Sequence, residues 1–216
     1  MPDPRLWQLI SPALPVGGYS YSQGLEYAVH AGWVHDEATT LAWIGALAED
    51  VMTAVDLPLM ARVHAVARAG DEVAVVALAA RLAALRETAE LRREDADMAS
   101  ALRRLLAALA PELDTLALAS YSALFALACA HWNITPREAL AGYLWAWAEN
   151  QVQGATRLVP LGQTAAQRVL FALGARLETC VASALARDDD DLGYTAPGLV
   201  FASAAHETQY TRLFRS

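Results

Sequence analysis

ELRREDADMASALRRLLAAL, Glu90 to Leu109, decides the fold. Within it Leu91, Met98, Leu102, Leu105, Leu106 and Leu109 recur three, four or seven residues apart, the spacing of one apolar face on a helix. Upstream, Asp36 is placed to cap a helix running to about Met52. Asp56 is placed to cap the next, with Pro58 in its first turn and Gly70 at its end, and Asp71 opens another. Downstream, Thr135-Pro136-Arg137-Glu138 joins a capping residue, a proline at the first helical position and a glutamate at the third. That helix is expected from Pro136 to about Thr156, and a last long one from Gln163 to Ala186 after the break at Pro160 and Gly162. Sustained two-residue alternation and hairpin dipeptides are missing.

The chain has 216 residues, 56% hydrophobic and 19% charged, enough for one large core and too apolar for disorder. Short connections predict antiparallel neighbours in a single compact all-α domain over 1–216, with about eight to ten helices. Irregular segments are expected at 1–21, rich in Pro and Gly, and at 187–216, where four aspartates lead into Gly193, Pro197 and Gly198.

The net charge of -8 argues against nucleic acid and against an anionic membrane surface. The longest uncharged run, Thr115 to Ala130, is shorter than the ~20 residues of a spanning helix and reads as a buried one. No secretion signal is visible, and Cys129 and Cys180 read as small buried hydrophobes, so a cytoplasmic location is expected. All 16 basic residues are arginine. That removes lysine Schiff-base chemistry and the lysine of a phosphate-binding P-loop.

Catalytic patterns fail in turn. The stretch LPVGGYSYSQGLEY, Leu14 to Tyr27, has glycines but no preceding strand and no GxxxxGK[ST], and its serines lack GxSxG and a nearby histidine. His30 and His35 stand about 140° apart on a helix and share no face. HETQY, from His206, lacks the second histidine of HExxH. Glu87/Glu90 and Glu94/Asp97, among arginines, read as surface ion pairs, and Asp188 to Asp191 as a solvated run. No catalytic group, no metal site and no tightly bound cofactor are assigned. The tail FASAAHETQYTRLFRS has the composition of an interface, with Phe201, Tyr210, Leu213 and Phe214 beside Arg212 and Arg215.

LPVGGYSYSQGLE, VDLPL (55–59), RETAELR (86–92), RLVPLGQTAAQ (157–167) and HETQYTRLFRS resemble the urease accessory protein UreF family, nearly end to end from Trp7 to Ser216. The resemblance implies an all-α homodimer that is not an enzyme. It binds the accessory protein UreD, called UreH in some species, and the pair recruits the GTPase UreG. The complex acts on urease apoprotein so that nickel enters as GTP is hydrolysed. Nickel and GTP thus belong to the complex, and a water-filled route for nickel has been proposed for the family. By resemblance Gly17, Gly18, Tyr19, Ser20, Tyr21, Gln23 and Glu26 at one end contact the partner. At the other end His206, Glu207, Gln209, Tyr210, Arg212, Leu213, Phe214 and Arg215 do so, becoming ordered in the complex. Removing Phe214 and Arg215 is then expected to weaken partner binding and leave the helical domain folded. Arg157, where many relatives have lysine, and Gln163 are checkpoint candidates. Ala99 stands where relatives often have glycine.

Three readings follow: a scaffold for urease maturation, an activator that places an arginine such as Arg157 in the GTPase site, or a nickel carrier, for which soft and imidazole ligands are few. The opening stretch reads as a docking segment working with the far terminus, or alternatively as a tightly packed N-terminal cap.

Overall fold

A computed structural model describes residues 3–113, 117–193 and 195–216. Every regular element among them is helical. In chain order these are α1 (Pro4–Leu9), α2 (Leu25–His30), α3 (Glu37–Ala46), α4 (Asp56–Arg68), α5 (Glu72–Ala84), α6 (Ala89–Leu109), α7 (Tyr121–His131), α8 (Pro136–Leu158), α9 (Gln163–Gly174), α10 (Leu177–Leu185) and α11 (Pro197–His206). The all-α class is as expected. Thr115, the first residue of the uncharged run, lies outside the described residues.

From Tyr121 onward the run becomes α7, at the centre of the molecule. Every residue of α7 from Ser122 to Ala130 is buried, as a helix apolar on all sides must be. α4, α5, α6 and α8 pack around it. Phe125 meets Tyr143 of α8 edge-on at 5.3 Å between ring centres. Cys129 and Cys180 are buried free thiols, and burial pushes both upward in pKa, so neither is poised as a nucleophile.

Most predicted starts hold. Asp36 accepts from Thr39 N at 2.8 Å, Asp71 from Ala74 N at 2.9 Å, and Thr135 and Glu138 form the reciprocal box that opens α8. α3 widens into a π-helix at Leu47–Met52, close to the end predicted for it.

Five readings change. Asp56 does not cap α4: its carboxylate is buried and takes both terminal nitrogens of Arg86, at 2.6 and 3.0 Å. The helix expected from Gln163 to Ala186 is two. α9 packs on α3 and α8 while α10 packs on α4 and α8, and the chain turns between them at Ala175 and Arg176. Arg176 there reaches Glu49 at 2.9 Å, across a surface of α3 that a Cβ on Gly45 would block at 2.7 Å. Leu109, at the end of the α6 stripe, is exposed where the helix ends at its cap Ala110. Glu94 is buried rather than a surface ion-pair partner. Finally, the two end segments each hold a short helix. Pro4 opens α1 behind the cap Asp3, and Pro197 opens α11, both at the first helical position.

Candidate docking site

The two ends of the chain meet. Arg215 N donates to Ser20 O, and Ser22 N to Ser216 O, each at 2.8 Å. Ser22 Oγ also donates to Ser216 O. These bonds close a chain of nearly the whole sequence into one local structure at the flank of α6 and α8.

The N-terminal half is shaped by glycine. Gly17 and Gly24 both have φ of 78°, in the region other residues resist. At Gly24 a Cβ would also lie 3.1 Å from Ala202 Cβ and Ser203 N, so glycine is what lets α2 cross α11 closely. Between them a single 3₁₀ turn, Gly18–Ser20, is held by Asn150 Nδ2 donating to Gly18 O at 3.1 Å. Gln23, also at positive φ, donates to Glu94 Oε1 at 2.6 Å and accepts from Trp147 Nε1 at 2.7 Å. Tyr21 is buried and its hydroxyl donates to Asp97 at 3.3 Å.

Glu26, in the first turn of α2, is the hub. Its carboxylate is buried and accepts from Leu213 N at 2.7 Å and Phe214 N at 2.8 Å. His206 Nε2 faces it at 3.2 Å, while His206 Nδ1 faces Glu90 Oε2 at 2.6 Å. Glu90 Oε1 in turn accepts from Arg212 at 2.7 Å. Glu94 receives Ser216 Oγ at 2.7 Å. Burial pushes the Glu94 carboxyl up to about 7, against the pull of the Ser216 and Gln23 hydrogen bonds. Phe214 is buried beside Leu25 and Gly154, and Arg157 lies over its ring at 5.8 Å while donating to Tyr19 O at 3.3 Å.

So Gly17, Gly18, Ser20, Tyr21, Gln23 and Glu26 come together with His206, Arg212, Leu213, Phe214 and Arg215, and Arg157 bridges the two groups. Glu207 stands at the edge and receives Ala89 N, the first amide of α6, at 3.0 Å. Gln209 bonds only within the tail, to Thr211 O at 2.9 Å. Tyr19 (64% exposed), Leu213 (62%) and the fully exposed Tyr210 face outward. Gln163 is exposed in the first turn of α9 and no hydrogen bond joins it to this network among the described residues. Sequence reasoning missed Ser22, Glu90, Glu94, Trp147 and Ser216. Glu94 had a signal: it stands three after Leu91 and four before Met98, on the apolar stripe itself.

The buried tail changes the expected outcome of truncation. Loss of Phe214 and Arg215 would remove one amide from Glu26 and uncover Leu25, so stability of the domain should fall along with binding.

Behind the site lies a cavity of about 200 Å³, floored by a second buried ion cluster. Arg86 pairs there with Asp56 and, at 3.5 Å, with Asp95, whose Oδ1 accepts from Tyr121 N at 2.8 Å. Burial opposes the Arg86 charge, but the two aspartates hold it well above its ordinary pKa; burial dominates at Asp95 and raises it. Neither cluster pairs a nucleophile with a free base, since both His206 nitrogens are engaged. Among the described residues no group of three or more His, Cys, Asp or Glu is arranged to hold a metal ion, and no helix is long and apolar enough to cross a membrane.

A family model for UreF matches residues 34–174. The chain belongs to the UreF family of urease accessory proteins. Similar relatives extend the match over both ends. A urease accessory protein UreF of Alkalilimnicola ehrlichii is 48% identical, covering 98% of this chain and 95% of the relative. One from Chromohalobacter salexigens is 46% identical, covering 98% and 93%. The protein of Brucella anthropi called urease accessory protein UreF 2 is 44% identical, covering 100% and 97%. The joined termini of this UreF-family chain therefore lie largely outside the family model's span but within the reach of its relatives.

Proposed function

We propose that this chain is a non-enzymatic scaffold for urease maturation, a cytoplasmic homodimer that binds UreD/UreH and helps to recruit the GTPase UreG. The assembly acts on urease apoprotein, and nickel enters the apoprotein as GTP is hydrolysed. Family membership supports the process, and one observation supports the scaffold role: a buried polar network fixes both termini in one place and leaves Tyr19, Tyr210 and Leu213 turned outward. Large, stiff, amphipathic groups on a rigid support are the usual anchors of a protein interface. The GTPase-activator reading is weakened at Arg157, whose guanidinium, though at the surface, is engaged by Tyr19 O and the Phe214 ring of its own chain. Nickel is cargo of the complex here, and no step assigns it ligands in this chain.

Co-purification tests the reading. Tagged UreD and UreG, co-expressed with this chain, should retain it in one complex that raises nickel-dependent activation of urease apoprotein. A chain that is recovered folded and joins neither partner would refute it. Stimulation of UreG turnover by the isolated chain, abolished by Arg157→Ala, would favour the activator reading instead.

A further inference from the structure

Beside the joined termini a polar groove of about 370 Å³ runs between the N-terminal turn and α6. Tyr19, Tyr21, Asp97, Ser100, Arg104 and Arg215 line it. Arg104 projects from the exposed side of α6 and spends one N–H on Ser100 Oγ at 2.8 Å. Arg215 is fixed by its backbone to Ser20 O at 2.8 Å, and its side chain lies beside the Tyr21 hydroxyl, countering the rise that burial imposes on that group. Asp97, the one carboxylate in the lining, accepts from Tyr21 Oη at 3.3 Å, so the lining sets two arginines against one acid. Two arginines thus share the lining with the Tyr19 and Ser100 hydroxyls in a chain whose net charge is -8.

We infer that this groove receives a carboxylate side chain from an acidic segment of a partner protein, with Arg104 and Arg215 as its two donors. Guanidinium forks match the geometry of carboxylates and tolerate partial desolvation better than ammonium groups do. A single helix could not form the groove: Arg104 comes from α6, Arg215 from the tail, and Tyr19 and Tyr21 from the N-terminal turn. The groove therefore exists only while the tail is seated, which couples acid recognition to closure of the termini. Arg104 was singled out by no sequence motif. The inference rests on the scaffold reading, and it adds the chemistry by which the partner is recognised.

Binding of the full chain to UreD and to UreG, by titration at low and moderate salt, tests it. Arg104→Gln suits an exposed helical position, and Arg104→Gln with Arg215→Gln should weaken one of the two complexes roughly tenfold and flatten its salt dependence. Arg103→Gln, one position along α6 and outside the groove, should bind like wild type. Unchanged circular dichroism and melting temperature would confirm that the variants fold. Wild-type binding matched by both Arg104 variants, with the same salt slope, would overturn the groove and leave the scaffold reading intact. Failure of the wild-type chain to bind either partner would overturn both. Weakening equal in the Arg103 control would reduce the effect to general charge and likewise refute the groove.

Discussion

Around α7, Leu124 and Phe125 are fully enclosed and have no polar atom of their own to satisfy; around α2, Glu26 and His206 are nearly as enclosed and consist of little else. The first region is held by area and packing, which are non-directional. The second is held by hydrogen bonds to two particular amides and two particular carboxylates. Damage should therefore spread differently: a hole in the α7 core weakens the whole domain, whereas a lost acceptor at Glu26 releases the tail first.

Phe125→Ala should have the largest effect, a loss of about 3–5 kcal/mol in denaturant unfolding, with partner affinity unchanged for the molecules that remain folded. Selective loss of partner binding in this variant would break the comparison. Glu26→Ala should cost about 3 kcal/mol, because it leaves the Nε2 side of His206 and two backbone amides without their partner, while His206 Nδ1 keeps Glu90. Hydrogen exchange at Leu213 and Phe214 should then approach the unprotected rate while α7 amides stay slow. Tail amides as protected as in wild type would mean that Glu26 is not the hub.

Glu94 sharpens the contrast through pH. Its carboxyl, ordinarily at 4.5, is raised to about 7 in the folded chain, so the folded state binds this proton more tightly than the unfolded one. Stability from this group is accordingly greatest below about 4.5 and declines as pH climbs through 7, by up to about 3 kcal/mol. Glu94→Gln keeps an acceptor for Ser216 and cannot ionise, so its unfolding free energy should vary less over pH 5 to 8. A profile that parallels wild type would remove Glu94 from this role. Arg157→Ala should have the smallest effect, under about 1 kcal/mol, since it loses one long hydrogen bond and a ring contact at the surface. A larger loss would show the Arg157 bridge to be structural in its own right.

The same contrast explains what could be read beforehand. Apolar spacing locates α6 and α7 because burial of area needs only a periodic pattern, and Thr135 to Glu138 locate α8 because a capping box is local. The tail reads as interface composition and the glycine-rich start, through family likeness, as a docking segment working with it or else as a packed cap. That Glu26 meets the amides of Leu213 and Phe214 was not legible, since no local rule relates residues so distant in sequence. Glu94 was misread because charge was weighed above position; its place on the Leu91–Met98 stripe was the better guide. Asp56 misled for a related reason: it has the sequence position of a cap and the environment of a buried ion partner.

The bond between Ser22 and Ser216 joins residues 194 positions apart. Closing so long a loop in an unfolded chain carries an entropy cost that grows with the logarithm of its length, so this contact forms cheaply only after the intervening helices have condensed. The surface that carries Arg215 is consequently a late product of folding. A chain cleaved before the tail would keep the helical body but lose that surface, together with the groups that cover Glu26 and Glu94.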